Sequence, residues 1–122
     1  MKYANDRLAF LLKQEVITPL AYDITLQIIQ QLQINTPSRH EAAEMMLTHL
    51  AMVVTRIEQN EALPLPAPGI EEEVKSSPYY SQAKEMFEAI QANLPYVLPT
   101  QEHGFIMAHL ANYLAQVDTK EG

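Results

Sequence analysis

Two histidines in matching apolar surroundings are the residues of this sequence best suited to chemistry. His49 lies in the apolar run 46–57, and His109 lies sixty positions later in the run 106–111; Leu-Ala follows the histidine in both. An imidazole can act as a neutral nucleophile whose charge is tunable near pH 7, so each ring is a candidate phosphoryl acceptor. The competing interpretation is that each histidine lies at the edge of a buried helix face and bonds a carbonyl group.

Arg56 is the charged residue best placed to assist His49. If this run is helical, Met45, His49, Met52 and Arg56 follow one another at spacings of four, three and four. His49 and Arg56 then share one side of the helix, about two turns or roughly 10 Å apart. Because a guanidinium holds a phosphoryl group through charge-assisted hydrogen bonds, we predict Arg56 to be an anion anchor.

Other groupings of polar residues point to chemistry less directly. His40 and Glu44 would lie one helical turn apart, as two ligands of a metal do, but they do not form the His-Glu-x-x-His motif, and we predict no metal site. His103 could join Glu102 and His109, although we expect it to face solvent in the first turn of its helix. The sequence has no nucleophile paired with a base and no cofactor-binding motif, so we predict neither an enzyme nor a cofactor.

Composition limits the classes of function. The chain has 122 residues, of which 48% are hydrophobic, and this suits one domain with a proper core. A net charge of −7 argues against direct nucleic-acid binding, which needs a surplus of Lys and Arg. The absence of cysteines agrees with a reducing compartment. With no apolar run long enough to span a membrane and no signal-peptide pattern, we expect a soluble cytoplasmic protein without a membrane partner.

Hydrophobic periodicity predicts an all-α fold, with four principal helices and a short N-terminal one. The predicted helices are 5–14, 19–33, 39–60, 78–94 and 100–117. Their predicted starts are Asn5 or Asp6 as N-cap, Thr18 before Pro19, Ser38 in a capping box with Glu41, Ser77 before Pro78, and Pro99-Thr100. Three prolines predict an extended connection over 63–69, whereas the run Glu71 to Glu73 fits either one exposed helical turn or a solvated loop.

Three segments in order resemble the PRD, the phosphotransferase-system regulation domain. They are HLAMVVTRI at 49–57, SPYYSQA at 77–83 and EHGFIMAHL at 102–110. The resemblance covers about residues 18–117 and places a histidine in the first and the last segment. It therefore divides the chain into an N-terminal helical arm (1–17), a PRD-like domain (18–117) and a flexible tail (118–122).

The resemblance implies a five-helix bundle that forms a homodimer. It also implies that His49 and His109 are phosphorylated by the phosphocarrier HPr or by enzyme II components of the sugar phosphotransferase system. Arg56 matches the arginine associated with the first histidine, and Glu102, seven residues before the second, is a candidate orienting carboxylate. In the family, the phosphoryl group changes the packing of a dimer and so switches an attached RNA-binding antiterminator or DNA-binding activator.

This chain departs from the usual family pattern because it carries a single copy and no output module. It therefore resembles the small stand-alone PRD proteins, and we expect its switch to act on a separate regulatory protein. The alternative is a helical dimerisation module whose histidines only pack or form hydrogen bonds. Reaction with the phosphotransferase components would distinguish the two.

Overall fold

The computed structural model describes residues 4–61 and 69–121, apart from the side chains of Glu71, Gln101, Lys120 and Glu121. These residues form six helices and no strand: α1 (Ala4–Lys13), α2 (Pro19–Gln31), α3 (Pro37–Glu58), α4 (Ile70–Lys75), α5 (Tyr80–Ala92) and α6 (Thr100–Glu121). The prediction of an all-α fold is confirmed. Helices α2 to α5 lie within 18–117, and α6 begins in this range and continues to Glu121. The acidic run Glu71 to Glu73 belongs to a helix, α4. The chain divides into two compact units, Met1–Leu63 and Pro64–Gly122.

In the first unit, α1, α2 and α3 pack against one another in all three pairings. Their apolar faces supply the core because side chains at spacings of three and four share one side of a helix. The largest fully buried side chains of this core are Leu8, Ile28, Ile34, Met46, Leu47, Leu50 and Val54. α3 lies at the centre of the unit and carries His49.

α2 and α3 begin with the same capping pattern, a threonine N-cap followed by proline. Thr18 precedes Pro19, and its Oγ1 accepts a hydrogen bond from the Ala21 N–H at 3.2 Å, as predicted. The predicted cap of α3 was wrong by two residues, because Thr36, and not Ser38, accepts the Arg39 N–H, at 3.1 Å. Proline follows each threonine at a first helical position, where an N–H is not needed.

The start of α1 also differs from the prediction. α1 begins at Ala4, so Asn5 and Asp6 lie in its first turn and neither of them is the N-cap. The Ala4 N–H donates instead to Nδ1 of His40 on α3, at 3.0 Å. The first N–H groups of a helix have no partner inside the helix, and here a histidine from another helix provides one.

All three helices of the first unit end in the same way, through a non-glycine residue in the left-handed region. Glu15, Gln33 and Asn60 have φ of 61°, 57° and 58°. The N–H of the next residue in each case donates to the carbonyl five positions earlier, as in Ile34 N–H to the Ile29 carbonyl at 3.0 Å. These are Schellman motifs, and at the end of α2 the buried residues Ile29 and Ile34 occupy the two positions of the apolar pair that accompanies the motif.

In the second unit, α6 packs against both α4 and α5. Its core includes Ile90, Leu98, Ile106 and Leu110, which are all fully buried. Ser77 is not the N-cap of α5. Its Oγ accepts a hydrogen bond from the Tyr79 N–H at 3.1 Å in a turn, and α5 begins at Tyr80, two residues later than predicted. α6 runs one turn beyond its predicted end at Val117, and Asp118 there accepts a hydrogen bond from the Tyr79 hydroxyl at 2.7 Å.

Most of the segment predicted to be extended, 63–69, lies outside the described residues; only Gly69, with φ 80°, is described. A φ of this size is strained for a residue with a Cβ, so glycine suits the position before α4. Among the described residues, no helix is long and apolar enough to cross a membrane.

Candidate functional site

His49 lies in the second half of α3 and is half-buried. The residues after it, Leu50 and Ala51, are fully buried, so the ring lies at the edge of the core face. One turn earlier, Met45 exposes 70% of its side chain, and one turn later Met52 is half-buried. The side of α3 that carries His49 therefore borders solvent.

Arg56 lies two turns after His49 on the same side of α3 and is also half-buried. Seven residues correspond to about 10 Å of helix rise, a gap that the long arginine side chain can shorten. Arg56 also lies in the last turn of α3, where the partial negative charge of the helix end favours a cation. α3 thus presents an imidazole and a guanidinium on one partly exposed face.

A second guanidinium lies beside this face, and it was not predicted from the sequence. Arg7 of α1 donates through Nε to the Thr48 hydroxyl at 3.3 Å. Thr48 directly precedes His49, so docking of α1 on α3 brings a cation to the neighbouring position of the helix. No local sequence pattern predicts this contact, because it joins residues 41 positions apart.

His109 lies near the middle of α6 and is half-buried like His49. Leu110 and Tyr113 next to it are buried, whereas Asn112, one turn further along, is exposed. His109 therefore also borders solvent at the edge of a core face. His49 belongs to the first unit and His109 to the second.

Glu102 lies two turns before His109 on the same side of α6, but it is fully buried. It occupies the first turn of α6, where the N-terminal N–H groups favour a negative charge. Two turns correspond to about 10 Å of rise, so a role toward His109 would be orienting or electrostatic. Full burial of a carboxyl group is unusual; Glu102 does interact with its surroundings, but its buried Oε2 accepts no hydrogen bond from the described residues.

His40, considered with Glu44 for a metal, is a structural residue. Its ring is buried, Nδ1 accepts the Ala4 N–H, and the Ile34 carbonyl forms a hydrogen bond with the ring. Burial lowers the pKa of His40, against the opposing effects of Asp6 and of the Ile34 carbonyl. Both ring nitrogens are thus engaged with backbone groups, and the described residues contain no group of three side chains suited to hold a metal.

The prediction that His103 faces solvent was wrong. Its ring is half-buried, its Nε2 lies 3.0 Å from the Leu98 carbonyl, and its edge contacts Phe87 at a centroid distance of 4.8 Å. Because a carbonyl oxygen only accepts hydrogen bonds, Nε2 carries a hydrogen. His40 and His103 are thus both hydrogen-bonded to backbone groups.

A family model described as PRD domain matches residues 22–113, about three quarters of the chain, and spans both histidines. No curated protein and no solved structure matches the chain. The chain therefore belongs to the PRD family, whose domains are regulatory modules of the phosphotransferase system.

Proposed function

We propose that this chain is a regulatory module that is phosphorylated on His49 and His109 by HPr or enzyme II components. The observation that carries the proposal is the placement of His49 on a partly exposed face of α3 together with Arg56. His109 has a comparable half-buried position on the other long helix, α6. Neither position is sealed in the core, so a donor protein can approach each ring.

The chemistry requires a neutral ring with an available nitrogen lone pair. That nitrogen attacks the phosphorus of the donor's phosphohistidine, a new N–P bond forms, and the old N–P bond breaks with its electron pair returning to the donor ring. Arg56 would stabilise the phosphoryl oxygens through charge-assisted hydrogen bonds. Glu102 would influence the orientation and charge of His109 from the same side of α6.

Phosphorylation would act by adding close to two negative charges at a protein surface. Met45, which is 70% exposed one turn from His49, offers an apolar contact for a second copy of the chain. A phosphoryl group beside such a contact would rearrange a homodimer and so control a separate regulatory protein in the cytoplasm. With a net charge of −7, the chain itself is unsuited to direct nucleic-acid binding.

One observation favours a second function, a helical dimerisation module that is never phosphorylated. Met45 and Phe10 are both largely exposed, at 70% and 59%, and need no phosphate to form a contact. In this alternative His49 and His109 only pack or form hydrogen bonds at the edges of their core faces. The two functions differ in one measurable property, which is the transfer of phosphate.

Phosphoryl transfer can be tested with the purified chain, the phosphoenolpyruvate-dependent first enzyme, HPr and phosphoenolpyruvate, with and without enzyme II components. We expect the intact mass to increase by one phosphoryl group for each acceptor, and acid treatment to remove the increase. His49→Ala and His109→Ala should each lose one phosphoryl group. His103→Gln is the matched control and should retain both.

An unmodified chain in the presence of every donor, with HPr itself phosphorylated, would exclude the first function. Size-exclusion chromatography with light scattering on the same samples then tests the second. A dimer whose mass is unaffected by the donors would support the dimerisation module.

A further inference from the structure

A pocket of about 220 Å³ lies in the second unit, where residues of α4 and α5 face α6. The residues that line it are Val74, Lys75, Tyr80, Lys84, Phe87, His103, Gly104 and Met107. Neither predicted acceptor histidine is among them. The pocket is therefore a feature separate from the proposed phosphorylation sites.

The walls of the pocket suit an aromatic ring. Phe87, Tyr80 and Met107 supply two aromatic faces and a polarisable thioether, and Val74 adds an aliphatic surface. A cavity of about 150 Å³ lined by apolar side chains can hold benzene. A volume of about 220 Å³ thus has room for a single ring with a short substituent.

One wall is held in place before any ligand arrives. The His103 ring is fixed by the Leu98 carbonyl at 3.0 Å and packs against Phe87 in an edge-to-face arrangement with an interplanar angle of 62°. A wall that is already ordered costs little conformational entropy when a ligand binds. The pocket has the preformed, mostly apolar character of small-molecule sites.

The charge at the pocket is opposite to that of the protein. Two lysines, Lys75 and Lys84, line it, and no acidic residue does so among the described residues. The whole chain, in contrast, carries 15 acidic residues against 8 Lys and Arg. Both lysines are exposed, so their ammonium groups can reach an anion without prior burial.

We propose that this pocket binds a small aromatic carboxylate, with its ring between Phe87, Tyr80 and Met107 and its carboxylate at Lys75 and Lys84. A bare inorganic anion would leave the apolar walls without a partner. A neutral aromatic molecule would gain less from the two lysines, because it cannot form an ion pair with them. The proposal does not depend on phosphorylation of His49 or His109.

The test uses the full chain and three probes: phenylacetate, its neutral counterpart phenylacetamide, and inorganic phosphate. Binding is followed by titration of backbone amide NMR signals. We expect phenylacetate to bind with a Kd of about 0.1–1 mM, a range that suits a ligand of this size. The largest shifts should come from Lys75, Lys84 and residues 103–107. Phenylacetamide should bind about fivefold or more weakly, and phosphate should not produce these shifts.

Three variants separate the contributions of charge and of the apolar wall. Lys75→Gln together with Lys84→Gln should weaken phenylacetate binding about five- to tenfold and leave phenylacetamide unaffected. Lys13→Gln removes another exposed lysine, from α1, and is the matched control, for which we expect wild-type affinity. Phe87→Leu should weaken both aromatic ligands, because it shortens the wall that both contact.

Four results would overturn the proposal. They are equal affinities for phenylacetate and phenylacetamide, shifts that map outside the pocket, phosphate binding that reproduces the phenylacetate shifts, and no saturable phenylacetate binding up to about 10 mM. Because no phosphoryl donor is present, each of these results leaves the proposed phosphorylation function unaffected.

Discussion

The two longest helices, α3 and α6, each have 22 residues and each carry one predicted acceptor histidine, but they surround it differently. On α3, His49 shares its side with Arg56, and Arg7 lies at the adjacent Thr48. On α6, the residue two turns from His109 is the buried Glu102. The similar residues around the two histidines are therefore accompanied by guanidinium groups at α3 and by a buried carboxyl group at α6. We expect an incoming phosphoryl group to be favoured by its own helix at His49 and not at His109.

The largest expected effects test whether the two units are separate in stability as well as in structure. Leu50→Ala in α3 and Leu110→Ala in α6 each remove a fully buried side chain, and each should cost about 2–5 kcal/mol. Hydrogen exchange read along the chain should show that each variant mainly loses protection in its own unit. Equal losses of protection in both units for either variant would mean that the units unfold together.

The next effect concerns His40, which joins α1 to α3 within the first unit. His40→Ala leaves the Ala4 N–H without its side-chain acceptor and should destabilise the chain by about 1–3 kcal/mol. The measurement is the free energy of unfolding in urea. His103→Ala is the corresponding change in the second unit, and it should leave protection of the α1 amides unchanged.

The same residue should make the stability of the first unit depend on pH. Because burial lowers the pKa of His40 in the folded chain, the unfolded chain takes up the proton first as the pH falls. The stabilisation is complete above the unfolded pKa of 6.5 and is lost as the pH falls through the lowered folded pKa. Urea unfolding across this range should show the loss in the wild type, and a matching slope in His40→Ala would contradict this explanation.

A smaller effect tests the electrostatic difference directly. Arg56→Ala should slow phosphorylation of His49 by about tenfold, since a charge-assisted hydrogen bond is worth roughly 1.5 kcal/mol or more, and should leave His109 unaffected. Glu102→Gln should change the rate at His109 alone. Peptide mapping under alkaline conditions, which preserve phosphohistidine, can measure both sites in one sample. Equal effects of Arg56→Ala at both histidines would remove the distinction between the helices.

The smallest effect lies in the second unit, at the bond between Tyr79 and Asp118. This hydrogen bond to Asp118 raises the pKa of Tyr79, so the neutral phenol is stabilised and the contribution is lost as the pH rises through the raised value. Asp118→Asn should return the pKa of Tyr79 toward 10.0, as measured by NMR titration of the tyrosine ring. Because the bond is exposed, we expect no resolved change in melting temperature.

The elements of the fold with local signals were predictable from the sequence. Thr18-Pro19 marked the start of α2 because both the cap and the proline act within four residues. Thr36-Pro37 carries the same signal, but the capping-box pattern of Ser38 and Glu41 predicts a start two residues later than the observed one. Two valid local patterns two residues apart cannot be ranked without the packing of Ile34 and the turn before α3.

Features that depend on contacts between distant positions were not predictable. The start of α1 is fixed by His40, 36 residues away, and the guanidinium beside the α3 face comes from Arg7. The position of His103 depends on Phe87 of α5 and on the loop that carries Leu98. The sequence marked His49, Arg56, Glu102 and His109 as candidates, and their roles stay predictions until phosphorylation is measured.

The residues in the left-handed region that end the helices of the first unit are positions where substitution can increase the stability of the chain. A side chain in this conformation costs roughly 1–2 kcal/mol, and glycine avoids most of that cost. Glu15→Gly and Gln33→Gly should therefore each raise the thermal midpoint, whereas Asn60 already tolerates its φ of 58°. Such variants would have a larger free energy of unfolding. Destabilising substitutions around His49 could then be introduced, and the proteins could be purified and assayed in folded form.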